Sequence, residues 1–310
     1  MNFFLRTILI LAAAVSALPA DSAAQTTGRT GTIIIAHGGD SLWNAGVMQV
    51  AREVNTGGPV EVSFLMGPGA ATTRFQDAVA KLERAGATRI VVVPLLVSSH
   101  SGHYEQIRYL VGQVDSLDHT MEHHLHMSGI ERAKTQLALH LSPALDSAME
   151  MATVLAERAM ALVRAEGDVP SARALLIVGH GPNDADDYAA WMANLRPVAA
   201  RVQAATGFRD VRIELVRDDA PAAVRAEAVL RTRELIELQT AATGKHVIVV
   251  PVLISKGAVS RDKLPADIAG TTSVYGAEPL LPHAAMARWV ESRVRASGVT
   301  ARRNSEAPAP

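Results

Sequence analysis

The chain has 310 residues, 48% hydrophobic and 4% aromatic, so it can bury two cores of ordinary size but has few ring platforms for stacking bases or sugars. Lysine and arginine number 30 against 31 acids, a formal net charge of −1, which argues against electrostatic capture of nucleic acid or of an anionic membrane. Cysteine is absent, so disulfides, lipidated cysteines and thiolate ligands are excluded, and any metal must be held by His, Asp or Glu.

In chain order, "MNFFLRTILILAAAVSALPADSAAQ" has one basic residue, Arg6, an apolar run from Ile8 to Val15, and small residues at Ser22 and Ala24. The pattern is that of a signal peptide over residues 1–24, cleaved after Ala24, and implies an exported, periplasmic or secreted protein. The run is too short to span a bilayer, so no stable membrane insertion is expected after cleavage. Ile33 to Ala36 reads as a short apolar strand. Trp43, Val47, Val50 and Val54 then recur at helical spacing behind an Asp40 or Ser41 cap. "VEVSFLM" (60–66) is a second strand, Phe75, Val79 and Leu82 mark a helix closing at Gly86, and Ile90 to Val97 is a third strand followed by a polar loop. "TQLALHL" (135–141) supplies a fourth strand, before a helix that Ser142 caps and Pro143 opens. Continuous apolar strands alternating with helices predict parallel sheets with helices on both faces, whose ligands sit beyond the carboxyl ends of the strands.

The second half repeats the first. "GTIIIAHGG" (31–39) returns as "RALLIVGHGP" (173–182), and "RIVVVPLLVSS" (89–99) as "HVIVVPVLISK" (246–256). Duplication predicts two α/β lobes, 30–167 and 172–298, joined near "EGDVPSA" (166–172), with a flexible tail over 299–310.

His37, His100, His103 and His180 all fall beyond predicted strand ends. A neutral imidazole binds divalent iron, cobalt, nickel or zinc and accepts protons near neutral pH. His37 facing His100 or His103 across neighbouring strand ends would leave coordination positions open. Open positions are what catalysis needs. "DHTMEHHLHMSG" (118–129) adds four histidines, read either as a solvated loop or as a tract that collects metal. His283 is expected to cap or pack the last helix. Arg217, Asp218 and Asp219 are read as surface-turn residues, with lining of a cleft as the alternative. "SSHSG" is not a nucleophile elbow, no arginine precedes either "HG" as a phosphate site needs, and no Gly-rich phosphate loop follows a strand.

The "HG" turn after strand one, followed by "VVPLLV" and a histidine a few residues on, resembles the class II chelatases of the CbiX and SirB type, in their two-half form. The resemblance implies a pair of chelatase-like lobes around a cleft, where two histidines hold a divalent metal, cobalt, iron or nickel, as substrate for insertion into a sirohydrochlorin-like tetrapyrrole. No organic cofactor is implied. His37 matches the first family histidine. Counting from Pro94, the second falls at Gly102, between His100 and His103, with His103 the closer match through its "GH" setting. Gly38, Gly39 and Ser99 are the expected substrate contacts. In the second lobe, Val259 stands where a partner of His180 would be, which predicts a degenerate site and a nearly silent His180→Ala. Metal affinity is expected to fall as the imidazoles protonate near pH 6.5. The alternative is an exported metal- or tetrapyrrole-binding protein without catalysis.

Overall fold

The computed structural model describes residues 28–305, with side chains to residue 298. The expected leader, residues 1–24, lies outside the described residues. The first sheet contains β1 (Thr30–Ala36), β2 (Val60–Phe64), β3 (Arg89–Leu95) and β4 (Ala138–Leu141), all parallel in the order β2-β1-β3-β4. The second contains β5 (Ala174–Gly179), β6 (Asp210–Leu215), β7 (Val247–Val252) and β8 (Ser273–Tyr275), parallel in the equivalent order β6-β5-β7-β8. The duplication read from the sequence is therefore a duplication of topology.

Helices cover both faces. α1 (Ser41–Glu53) starts at Asp40, whose carboxylate accepts the Trp43 amide at 2.8 Å, and α2 (Phe75–Arg84) buries Phe75, Val79 and Leu82. Pro94 and Pro251 sit inside central strands without breaking them. Each lies two residues past the last pairing to the outer strand, which ends at Val92 in β3 and Val249 in β7, so no ladder partner on that side misses the absent N–H.

Three expectations need correction. The polar loop after β3 contains a helix, α3 (Gly102–Leu110), opened by Ser101, whose hydroxyl accepts the Tyr104 amide, and buried through Gln106, Ile107 and Leu110. The "DHTMEHHLHMSG" stretch is also helical: α4 (His119–Met127) is capped by Asp118, which accepts the amides of Thr120 and Met121. Finally, α5 (Met149–Ala165) begins seven residues after Ser142, because Asp146 takes a left-handed φ of 47° and folds its carboxylate onto Ser99 rather than entering a helix.

In the second lobe α6 (Ala185–Thr206) and α7 (Ala222–Thr243) end at left-handed Gly207 and Gly244. A short turn at Val259–Lys263 leads into α8 (Leu264–Asp267), and α9 (Ala284–Ser305) closes the chain. The flexible tail expected from residue 299 is helical through Ser305, since Gly298 carries no left-handed φ to stop α9. His283 caps this helix as expected, its Nδ1 accepting the Ala285 amide while Nε2 meets Glu157 at 2.9 Å.

The two halves exchange their last helices. α5 packs on β7 and α6 of the second lobe, α9 packs on β3 and α1 of the first, and the two helices touch each other. One continuous core consequently runs from Ile33 and Val92 through Leu155 to Val198 and Trp289. This ties the carboxyl ends of β1 and β5 into one cleft. Among the described residues no helix is long and apolar enough to cross a membrane.

Candidate metal centre

The repeated "HG" turn has a physical cause. Gly38 has φ +92°, and a Cβ there would stand 2.1 Å from the Met66 carbonyl oxygen; Gly181 has φ +76°, and a Cβ there would stand 2.8 Å from the Leu215 Cβ. The left-handed turn brings each glycine carbonyl back to the preceding ring. His37 Nδ1–H donates to Gly38 O at 2.6 Å, and His180 Nδ1–H to Gly181 O at 2.7 Å. A carbonyl can only accept, so Nδ1 carries the proton in both rings. When the ring is neutral, Nε2 is left with a free lone pair.

His103 reaches the same place from the first turn of α3. Its ring centroid lies 4.5 Å from that of His37, with the planes at 81°. Its tautomer is fixed at one remove: buried Gln106 donates through Nε2 to the Met121 carbonyl at 2.8 Å, which turns Oε1 toward His103 Nδ1 at 2.9 Å. Nε2 of His103 is thus also the open nitrogen. Replacing Gln106 by leucine should leave the helix in place but release the ring, weakening metal binding by about 10- to 100-fold. Titration of the variant beside its melting curve checks this, and an unchanged affinity would assign Gln106 to packing alone.

The opposite wall comes from the second lobe. His180 Nε2 stands 3.1 Å from Asp219 Oδ2 and 4.0 Å from Asp218 Oδ2, and the three side chains form a His/Asp/Asp cluster whose ligand atoms lie within 4.8 Å of one another. Asp218 is buried and already neutralised by Lys263 at 2.6 Å and Arg225 at 3.1 Å, so Asp219, half-open to solvent, is the freer carboxylate. His180 was expected to have lost its partner and the second lobe to be degenerate. Its partners instead come from the end of β6, the acids that had looked like a surface turn. Arg217 does not join them: its guanidinium turns to the Pro182 and Asn183 carbonyls.

Electrostatics divide the imidazoles. Burial lowers His103 to about 4, with help from the neighbouring His37, His124 and His180 against the Gln106 hydrogen bond. Burial also lowers His37, opposed by the Gly38 carbonyl and Asp219 and aided by His180 and His124. The expectation that both titrate near 6.5 is therefore corrected downward. His180 goes the other way. Burial pulls it down, but its hydrogen bonds to Asp219 and Gly181 and the charges of Asp219 and Asp218 outweigh burial and raise it. Near neutral pH the first lobe offers neutral nitrogen donors and the second an imidazole that readily holds a proton.

His37, His103, His180, Asp218 and Asp219 line one cleft of about 670 Å³ between the lobes, within the range of small-molecule sites. Of the three residues expected as substrate contacts, Gly38 and Gly39 border the cleft and Ser99 does not. The Ser99 amide and hydroxyl are both spent on Asp146, at 2.7 and 2.8 Å, and its neighbours Ser98 and Ser101 take the rim. His100 is exposed outside the cleft, with its carbonyl accepting the Trp191 indole N–H. Of the two histidines left open by the sequence, the structure brings His103 to His37.

A deep cleft at the carboxyl ends of two duplicated parallel sheets, lined by imidazoles and carboxylates suited to a metal ion, defines a chelatase-type α/β protein. The CbiX family model matches residues 31–162 and 174–297, and the chain belongs to that family. Among solved structures it is similar to SirB from Bacillus subtilis, determined with Fe3+, at 15% identity and a TM-score of 0.57 over 86% of this chain and 94% of that one. It is also similar to a CbiX described as the terminal enzyme for biosynthesis of siroheme in denitrifying bacteria, at 17% identity and a TM-score of 0.53 over 86% and 98%. DR2241 from Deinococcus radiodurans, a multi-domain protein with structural similarity to chelatases, aligns at 18% identity and 0.53 over 86% of this chain and 54% of its own. No protein of curated function matches the chain.

Proposed function

We propose that the protein is a metal chelatase that joins two substrates in this cleft: a divalent first-row ion, cobalt, iron or nickel, and a tetrapyrrole of the sirohydrochlorin kind. The observation that carries the reading is the pairing of neutral His37 and His103, whose Nε2 lone pairs are open, with a protonatable His180–Asp219 pair across the same cleft. The tetrapyrrole rests on family membership and on the siroheme-forming relative.

His37 and His103 hold the ion by two nitrogen donors and leave its other positions free for incoming ring nitrogens. Trp43, Trp191, Leu253 and Ile254 give the macrocycle apolar walls. As the ion enters, two pyrrole N–H bonds break and two protons leave. Neutral His180 accepts one, the Asp219 carboxylate stabilises the imidazolium formed, and water takes the other. The dative bonds from imidazole are exchanged for bonds to the ring, and the metallated product departs. With the leader expected over residues 1–24, this chemistry takes place after export.

The test mixes mature protein with sirohydrochlorin and cobalt(II) and follows the visible spectrum against a protein-free control. Many equivalents of metallated ring per protein are expected. A saturating shift at about one equivalent would instead identify a carrier, because imidazoles that only bind metal lower its free concentration. If ring and metal do not affect each other's binding, they do not share the cleft and the reading falls.

A further inference from the structure

The histidines of α4 are left over by the chelatase site, and the helix divides them between two faces. At 100° per residue, His119, Glu122, His123 and His126 share one side, all exposed, while Met121, His124 and Leu125 share the other. On the outer side His119 and His123, spaced i and i+4, have parallel rings with centroids 6.4 Å apart and planes at 4°. Two imidazoles one turn apart on a helix can chelate a single borderline-soft cation, with water completing its coordination.

The inner side is fastened to the cleft. Met121 lines the cleft beside His103, its carbonyl holds Gln106, which holds His103, and its sulfur packs so tightly on α3 that a Cβ at Gly102 would meet it at 2.7 Å. His124 buries its Nδ1 with no hydrogen-bond partner, the one imidazole nitrogen among the described residues left in that condition.

We propose that α4 is a metal-loading helix: His119 and His123 hold a divalent cation at a second site outside the cleft, and Met121 and His124 lead from it to His103. Occupancy of the outer site stands independently of the chelatase reading; the loading role rests on it.

Nickel(II) alone serves as the probe, by equilibrium dialysis of the full chain at neutral pH. The wild type should bind two equivalents, the outer one more weakly. H119A/H123A should keep only the cleft equivalent, and H37A/H103A only the outer one. Both outer side chains are exposed and alanine favours a helix, so the first variant stays folded, which circular dichroism checks. A single equivalent in the wild type, or two retained in H119A/H123A, overturns the outer site. For loading, the cleft is filled from a nickel–nitrilotriacetate donor, and H119A/H123A should fill it at least about fivefold more slowly. An unchanged rate overturns the loading role, and neither result depends on whether the protein metallates a tetrapyrrole.

Discussion

Replacing His37 by alanine is expected to lower the affinity of the cleft for cobalt(II) or nickel(II) by about a hundredfold or more. In the proposed site His37 supplies one of two nitrogen donors, and its Nε2 is turned outward by the Gly38 carbonyl, so no neighbouring group takes its place. His103→Ala should match it, since the rings lie 4.5 Å apart and act as one ligand set. His100→Ala should be nearly silent, because that side chain is exposed and outside the cleft. His180→Ala, silent on the sequence reading, is now expected to cost about tenfold in turnover with a smaller change in metal affinity. It removes the proton acceptor that Asp219 stabilises but leaves both nitrogen donors. Competition titrations with the outer α4 pair already replaced isolate the cleft. Unchanged affinity in His37→Ala would move the metal to the His180, Asp218 and Asp219 cluster.

The sheets were legible because a strand buried on both faces must be apolar throughout, and "IIIA", "IVVVPL", "ALLIV" and "VIVVPV" are. The "HG" turns were legible because only glycine accepts a φ near +90° there, and the duplication showed the requirement twice. What stayed hidden depends on tertiary placement. Asp218 and Asp219 look like any acidic turn until the exchange of α5 and α9 ties the end of β6 to the cleft shared with His37. Ser142 and Pro143 look like a helix start, and nothing local shows that Asp146 is drawn off to Ser99. The signal of α3 went unused: Ser101 is a cap, with Ile107 and Leu110 at buried spacing behind it. Reading it would have settled His103 over His100, because the first turn of a helix aimed at a strand end carries its side chains into the cleft.

Duplication also explains how one architecture serves two chemical ends. Each half keeps the same turn and the same Nδ1–H to carbonyl bond, so both strand-end imidazoles start with the same tautomer and orientation. They diverge through their neighbours. His37 meets another imidazole, which disfavours a proton, while His180 meets carboxylates, which favour one. In the proposed chelation the metal needs the first and a departing pyrrole proton needs the second.

The same division predicts an unusual pH profile. Two solvent-exposed imidazoles of pKa about 6.5 would lose several hundredfold, roughly, in jointly neutral population between pH 7 and pH 5. With His103 near 4 and His37 also lowered, the cleft should lose less than about tenfold in cobalt(II) affinity over that range. Stability of the metal-free protein should also fall as the pH is lowered. A histidine lowered by folding is protonated first in the unfolded chain, so its contribution is present above about pH 6.5 and is lost as the pH falls toward 4. The groups facing His103 are His37, His124, His180 and Gln106; His180, being raised, opposes this trend and contributes most on the acid side. The melting temperature of the metal-free protein should therefore fall from pH 7 to 4.5, and fall less in His103→Gln, which has no imidazole to charge on unfolding. Carboxylates common to both proteins cancel in that difference. Parallel curves for the two would mean that His103 titrates in the folded protein as it does in water, and the neutral donor pair on which the proposed chelation depends would be lost with it.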